Sequence, residues 1–376
     1  MKARQRALIV AGALALGACS SLNPFSGGSK LPALTPIASP VATSEAWRVR
    51  VGDAGVFVLQ PAIVGDAVFA AGDGDVVRID SGRVRWKTPL KVTISGGVGS
   101  DGSLVVVGTP KGEVIALDAD SGQVKWRVPV NAEVLAAPAV SSGLVVVRSA
   151  DSRLFGLDPA DGRQRWVYQR ATPPLSLRNS AGVVLESNVV LAGFPGGKLA
   201  AVSPANGSLM WEGTVAVPRG ATELERMSDI TSLPVIGARA TCAVAYQGRI
   251  ACFDMSNGST LWTRDLSSSK GLDLDDSQVF VTDEKGAVQA LDIGSGASSW
   301  KQDQLAGRGT GRPRVINDYV VVGDAEGYVH LLRKDDGRLV GRLRPASSPI
   351  IADPQRAGGS VVIQTRDGNV AAVGVQ

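Results

Sequence analysis

The sequence predicts an all-β fold, namely an eight-bladed β-propeller whose blades are four-stranded antiparallel sheets. Three observations lead to this prediction. Tryptophan recurs at intervals of roughly 40 residues, a glycine stands four positions before each tryptophan after the first, and short apolar strands with Gly-rich turns fill the intervals. Four short strands in each such repeat are typical of propeller blades. The tryptophans are Trp47, Trp86, Trp126, Trp166, Trp211, Trp262 and Trp300.

Each repeat has the same predicted order: two strands, a glycine turn, a strand that ends in aspartate, a second glycine turn and the tryptophan strand. Residues 114–126 show the second half of the pattern, with Asp118, Gly122 and Trp126 at its fixed positions. Aspartate caps the turn and glycine supplies a positive φ. We expect the large tryptophan side chains to pack between neighbouring blades. The repeat continues once more at Gly341, without its tryptophan.

The two ends of the chain are expected to share the eighth blade. Three strands are predicted near the C-terminus, at Ile350–Ala352, Ser360–Gln364 and Asn369–Val375, and the chain stops where a tryptophan strand should follow. The strand around Trp47 supplies the missing fourth strand and removes a free sheet edge. Residues 45–376 are therefore predicted to form one propeller domain.

The N-terminus resembles a bacterial lipoprotein signal peptide, predicted over residues 1–18. A basic start precedes the uncharged apolar run 7–16, which is too short to span a bilayer. Cys19 follows small residues, as in a lipobox, and is expected to be lipidated. The alternative is an ordinary secretory signal with a chance cysteine. Ser20 indicates, by the same resemblance, localisation at the outer membrane on its periplasmic face.

Residues 19–44 are predicted to be a lipidated cysteine followed by a flexible tether, because they are rich in proline, glycine, serine and threonine and show no apolar period. The net charge of +4 gives no support for nucleic-acid binding, since three basic residues lie within the first six positions. The single histidine, His330, excludes a multi-histidine metal site. We expect it to be structural, and we predict no catalytic residue, metal or cofactor.

Cys242 and Cys252 are predicted on two strands joined by a short turn. Other repeats carry apolar residues at these places, so two buried apolar side chains are one interpretation. The periplasm also permits a disulfide. The sequence leaves both interpretations open.

Two repeats are longer than the others, and they follow Trp166 and Trp211. The extra residues fall around 172–180 and 218–234, in the connection to the next blade. Equivalent loops on consecutive blades should emerge side by side on one rim, where repeat proteins place binding surfaces. The alternative is that the loops only cover the propeller face.

The stretch Ala116–Trp126 closely matches a known blade motif, and Trp47–Gln376 resembles the pyrroloquinoline-quinone-like propeller family. The resemblance implies the fold but not one function, because the family includes enzymes and scaffolds. A quinoprotein dehydrogenase or ligand-sensing propeller is the alternative function. Dehydrogenases of this type use a quinone and calcium, for which no acidic cluster stands out here.

The lipobox, the tether and the two inserted loops look like those of lipoproteins in the outer-membrane β-barrel assembly (BAM) complex. This resemblance implies a non-enzymatic scaffold that binds the periplasmic POTRA domains of BamA and aids outer-membrane protein folding and insertion. It implies indirect contact with other BAM lipoproteins and leaves open a direct contact with unfolded outer-membrane proteins. The matching partner-binding residues are Leu175, Leu177, Arg178, Arg226 and Asp229. We expect Arg178 to pair with a carboxylate, and Asp229 with a basic group, on the partner.

Overall fold

The structure, a computed structural model, describes residues 31–178, 180–186 and 188–375. The described residues from Leu34 onward form one compact unit. In this unit the described residues form 32 β-strands in eight four-stranded antiparallel sheets, which make the predicted eight-bladed propeller. None of the described residues belongs to a helix with the length and apolar character needed to cross a membrane.

The blades follow one another along the chain, and each runs from an inner strand at the propeller axis to an outer strand. Blade 1 consists of β2 (Ala62–Val64), β3 (Ala67–Gly72), β4 (Asp75–Asp80) and β5 (Arg83–Pro89), and blade 2 of β6 (Gly96–Ser100), β7 (Leu104–Gly108), β8 (Glu113–Asp118) and β9 (Val124–Pro129). Blade 3 consists of β10 (Ala139–Ser141), β11 (Leu144–Arg148), β12 (Leu154–Leu157) and β13 (Gln164–Tyr168), and blade 4 of β14 (Val184–Glu186), β15 (Val189–Phe194), β16 (Lys198–Val202) and β17 (Leu209–Thr214). Blade 5 consists of β18 (Val235–Ile236), β19 (Ala240–Val244), β20 (Arg249–Asp254) and β21 (Thr260–Asp265), and blade 6 of β22 (Gly271–Leu274), β23 (Gln278–Thr282), β24 (Val288–Asp292) and β25 (Ser298–Gln302). Blade 7 consists of β26 (Arg314–Ile316), β27 (Tyr319–Gly323), β28 (Val329–Arg333) and β29 (Leu339–Leu343), and blade 8 of β30 (Gln355–Ala357), β31 (Ser360–Gln364), β32 (Asn369–Val375) and the N-terminal β1 (Thr43–Arg50).

The ring closes as the sequence predicted. The N-terminal β1 pairs antiparallel with β32, and Trp47 lies opposite Ala372. The chain also contacts blade 7 before β1 begins. The Val41 amide donates to the Val340 carbonyl at 2.7 Å, and the Arg342 guanidinium donates to the Thr35 carbonyl at 3.0 Å. Thr35 and Val41, within the predicted tether 19–44, therefore contact the propeller, and the last two residues of that range belong to β1.

The inner strand of blade 8 lies further along the chain than predicted. It is β30, whereas Ile350–Ala352 forms only an isolated bridge, between Ile350 and Thr365. Ile350 is buried against blade 7, where a Cβ added at Gly323 would lie 2.5 Å from its side chain. The apolar character of Ile350–Ala352 thus reflects burial in the connection between blades and not a strand.

The tryptophan of one blade packs against the repeat glycine of the next. Trp126 is buried, and its indole Nε1 donates to the Pro159 carbonyl of blade 3 at 2.9 Å. Gly162 has a φ of +77°, and a Cβ there would lie 2.7 Å from the Trp126 ring. This glycine therefore supplies the positive φ of the turn and also admits the tryptophan. The same contact joins Trp47 with Gly82, Trp86 with Gly122, Trp166 with Gly207, Trp211 with Gly258, Trp262 with Gly296 and Trp300 with Gly337.

The repeat aspartates cap turns, as predicted. The Asp118 carboxylate accepts hydrogen bonds from the Ser121 amide at 2.9 Å and from its hydroxyl at 2.8 Å. These bonds favour the charged form and lower the pKa of Asp118. The aspartates therefore stabilise the turns that bring each glycine to its tryptophan.

Blade 7, which has Gly341 at the position of the repeat tryptophan, also carries a buried polar cluster. His330 and Asp324 are fully buried, and His330 Nε2 lies 2.9 Å from Asp324 Oδ2. Arg342 Nε donates to His330 Nδ1 at 3.2 Å, and Arg308 Nε donates to Asp324 at 2.9 Å. Burial lowers the pKa of His330, against the opposing effect of its hydrogen bond to Asp324. His330 thus lies in the blade core, at a place consistent with the structural role predicted for it.

Cys242 and Cys252 form a disulfide between β19 and β20. They are directly opposed, buried and 4.1 Å apart at their Cα atoms. Such a close approach is typical of the non-hydrogen-bonded pairs of an antiparallel ladder. The disulfide interpretation is therefore the one the structure contains.

Candidate partner-binding surface

Two inter-blade connections are the longest, with 15 and 20 positions against 5 to 11 in the others between described strands. Loop 1, residues 169–183, joins β13 to β14 and is described except at position 179. Loop 2, residues 215–234, joins β17 to β18. By comparison, residues 266–270 suffice to join β21 to β22. Both insertions lie where the sequence predicted them.

Asp229 joins the two loops. Its Oδ2 accepts a hydrogen bond from the Leu177 amide of loop 1 at 2.6 Å, and its Oδ1 accepts one from the Gly196 amide at 3.1 Å. The side-by-side arrangement predicted for the loops is therefore present. The sequence predicted that the Asp229 carboxylate would pair with a basic group on the partner. In the structure Asp229 is only 1% exposed, and its carboxylate points inward. It points inward because two backbone N–H groups require an acceptor there.

Arg148 lies beneath loop 1 as a second buried charge. It ends β11, is 6% exposed, and donates from Nη1 to the Ala181 carbonyl at 3.1 Å. Its guanidinium also lies 5.4 Å from the centre of the Phe194 ring. Burial lowers the pKa of Arg148 to about 10, and the charge of Asp229 opposes that shift. Loop 1 is thus held at Leu177 by a carboxylate and at Ala181 by a guanidinium.

Sequence reasoning missed Arg148. The available signal was an arginine at the end of the otherwise apolar strand β11, where the equivalent strands β7 and β19 end in Gly108 and Val244. An arginine at a buried strand end requires a counter-charge or several acceptors.

A short turn organises loop 2. The Glu225 amide donates to Thr222 Oγ1 at 3.2 Å, and the Thr222 amide donates back to Glu225 Oε2 at 3.2 Å. This reciprocal pair resembles a capping box, although the segment makes only a turn. Arg226 donates from Nε to the Gly220 carbonyl at 3.0 Å and from Nη1 to Glu223 at 3.3 Å. Arg226 is exposed, and these two hydrogen bonds hold its side chain against its own loop.

The outward side of the loops combines apolar groups with a cation. Leu175 is 40% exposed and Leu224 is 64% exposed, whereas Leu177 is half-buried. Arg178 is exposed; its Nη2 lies 3.4 Å from Glu133, and its guanidinium lies 6.0 Å from the Phe57 ring centre. Arginine is enriched at protein interfaces, and exposed leucines beside it add apolar area that association can bury.

The predicted site residues divide into three groups. Leu175, Leu177, Arg178 and Arg226 lie on the paired loops, Asp229 lies beneath them, and Cys19 lies outside the described residues. Leu224 was not among the predicted site residues, although its exposure is the greater of the two exposed leucines. Within the described ranges, no group of three or more His, Cys, Asp and Glu side chains is arranged to hold a metal ion.

The fold and the loops together define a class of protein: an eight-bladed β-propeller with tryptophan-bearing outer strands and one elaborated surface. The sequence model of one family, outer membrane protein assembly factor BamB, matches residues 72–302 and 284–375. The chain belongs to this BamB family. It is 41% identical to outer membrane protein assembly factor BamB of Bordetella pertussis over 376 residues, which cover 99% of this chain and 97% of that relative.

Solved structures agree with the fold. The crystal structure of BamB from Moraxella catarrhalis superposes with a TM-score of 0.83 at 30% sequence identity, covering 89% of this chain and all of that one. A quinohemoprotein alcohol dehydrogenase from Comamonas testosteroni gives a TM-score of 0.70 at 12% identity, covering 89% of this chain and 77% of the enzyme. The second similarity concerns the fold alone.

Proposed function

We propose that this chain is a non-enzymatic scaffold of the BAM complex, which binds the POTRA domains of BamA through loops 1 and 2 and so aids outer-membrane protein folding and insertion. Other BAM lipoproteins would be reached through BamA. The observation that carries the proposal is the hydrogen bond from the Leu177 amide of loop 1 to Asp229 of loop 2. This bond joins the two long insertions into one surface. Membership of the BamB family supports the assembly role.

The surface has suitable chemistry for binding a folded partner. Leu175 and Leu224 provide apolar area that becomes buried on association. The Arg178 guanidinium is exposed and can form a bidentate pair with a partner carboxylate. Asp229 and Arg148 hold loop 1 before the partner arrives, which reduces the conformational entropy lost on binding.

The proposal includes anchoring of the chain to the periplasmic face of the outer membrane through Cys19. The lipobox-like sequence that ends at Cys19 is its basis. A Cys19→Ala variant should incorporate no fatty acid and should leave the membrane fraction. Fatty-acid labelling that persists in this variant would contradict the anchor.

Co-purification from membranes tests the partner site. A variant with alanine at Leu175, Leu177, Arg178 and Arg226 should no longer bring down BamA, while its melting temperature stays within a few degrees. Asp229 is retained because it is buried beneath the loops. Lys125→Ala, at an exposed position of the outer strand β9, is the control and should bind normally. Normal recovery of BamA with the folded loop variant would refute this surface.

A further inference from the structure

A cavity of about 710 Å³ lies on the propeller axis, and residues 180–183 of loop 1 and 231–233 of loop 2 form part of its wall. The inner strands of all eight blades, or the residues beside them, line it. A volume of this size is within the range of sites that enclose small organic molecules.

The cavity wall is asymmetric in charge. Blades 1 to 4 contribute mainly small and apolar residues, such as Ile63, Val140 and Val183. Blades 6 to 8 and the segments that lead into them contribute all of its cations. These cations are Lys270, Arg312, Arg314 and Arg356.

The carboxylates near these cations do not balance them. Asp353 pairs with Arg312 at 3.3 Å, while Asp273 accepts from Arg356 at 2.9 Å and lies 3.6 Å from Arg314. Asp273 also accepts from the Val315 amide at 2.8 Å. No ion pair of the described residues includes the amine of Lys270. Four cations against these two carboxylates leave an excess of positive charge on this wall.

Two further observations support an anionic occupant. Ser232 lines the cavity, is 7% exposed, and its Oγ has no hydrogen-bond partner among the described residues. A Cβ placed at Gly271 would lie 3.3 Å from both that Oγ and Arg312 Cγ, so the hydroxyl lies beside the cationic wall. A buried hydroxyl without a partner is destabilising unless a ligand or water satisfies it. Burial, followed by the charge of Arg312, lowers the pKa of Arg314 to about 10.

We infer that the axial cavity binds a small amphipathic organic anion. Its carboxylate or equivalent acidic group would lie against Lys270, Arg356 and the Ser232 hydroxyl, and its apolar body against the opposite wall. Guanidinium groups favour planar oxyanions, and the low polarity of the opposite wall strengthens such pairing. This inference does not depend on BamA binding.

The test uses a fluorescent aromatic anion, anilinonaphthalene sulfonate, and its uncharged analogue, phenylnaphthylamine, titrated into the full mature chain. We expect one saturable site for the anion and binding at least about tenfold weaker for the analogue, because the analogue lacks the charged group. Equal affinity for the two dyes, or no saturable site, would overturn the inference.

Two variants localise the site. Lys270→Gln should lower the affinity for the anion several-fold. Gly311→Phe should abolish binding of the anion, because the new side chain fills the cavity. Gly311 suits this purpose because a Cβ there meets only the Gly323 carbonyl, at 3.9 Å. Lys125→Gln, an exposed lysine on the outer strand β9, is the control. If Gly311→Phe keeps the fold and the anion still binds with unchanged affinity, the axial site is wrong.

Discussion

The blade-to-blade contacts and the paired loops are built by different means. Between blades, the repeat uses the same elements many times: an indole that donates to the next blade, and a glycine that makes room for it, as in Trp126 and Gly162. Loop 1 is instead held by two single residues that no repeat supplies: the Asp229 carboxylate accepts from its Leu177 amide, and the Arg148 guanidinium donates to its Ala181 carbonyl. The first region is encoded by sequence period, and the second by particular long-range contacts.

Because the two regions are built differently, substitutions in one should change the stability of the propeller and substitutions in the other should change the binding of the partner. Changes at the repeated contacts should destabilise the propeller, because each tryptophan joins two blades. Changes at the outward side of the loops should leave the propeller folded and weaken association. Asp229 lies between these cases, because it is buried but supports an exposed loop.

Trp126→Ala is expected to have the largest effect. Truncating this buried indole removes its contact with Gly162 and its hydrogen bond to the Pro159 carbonyl, so the free energy of unfolding should fall by about 3–5 kcal/mol. Chemical denaturation measures the change. Val124→Ala, an exposed position of the same strand, should shift it by less than about 0.5 kcal/mol. Similar losses for the two variants would contradict the role of the interface.

Removing the disulfide should have the next largest effect. Replacement of both Cys242 and Cys252 by alanine frees the hairpin between β19 and β20 in the unfolded chain and should lower stability by about 2–3 kcal/mol. The binding of BamA should be kept, because the disulfide lies within the core of blade 5. Thermal unfolding with and without reductant measures the change. Unfolding of the native chain that is indifferent to reduction would argue against the bond.

Asp229→Asn should destabilise moderately, by about 1–3 kcal/mol, because Arg148 then lies buried without its counter-charge. The Leu177 amide should also exchange faster with deuterium, since its acceptor is weakened. Arg148→Met added to Asp229→Asn should recover part of the stability without restoring protection at Leu177. A single variant with native protection at Leu177 would show that Asp229 does not position loop 1.

The smallest effect is expected from pH. His330 has a lowered pKa in the folded protein, so the unfolded chain takes up its proton first as pH falls. The free energy of unfolding should therefore decrease as pH drops through about 6.5, the ordinary value. His330→Gln should remove this component, and Gln289 at the equivalent place in blade 6 shows that the side chain fits. Denaturation between pH 7.5 and 5 measures it, and an equal slope in both proteins would contradict the assignment.

The features repeated in every blade could be predicted from the sequence, because period and composition encode them. The number of blades, the pairing of β1 with β32 and the positions of both loops follow from the spacing of tryptophan and glycine. The inner strand of blade 8 could not be found this way. Buried connections and buried strands have the same apolar composition, as Ile350–Ala352 shows.

The loop site was predictable in position but not in orientation. Asp229 accepts from backbone amides 33 and 52 residues away, and no local pattern indicates that they would need it. For the same reason the effect of the Asp229 charge on Arg148 became visible only in the folded chain. The cysteine pair was likewise undecided until the register placed Cys242 opposite Cys252.

Titration of the mature chain with the purified POTRA region of BamA tests the central claim most directly. Leu177→Ala and Arg178→Ala should each weaken binding by about thirtyfold, equivalent to roughly 2 kcal/mol, as expected for truncation of an interface anchor. Their melting temperatures should remain within a few degrees of the native value, and Lys125→Ala on the outer strand β9 should bind normally. Native affinity in a folded Leu177→Ala, Arg178→Ala double variant would contradict the assignment of loops 1 and 2 as the BamA surface.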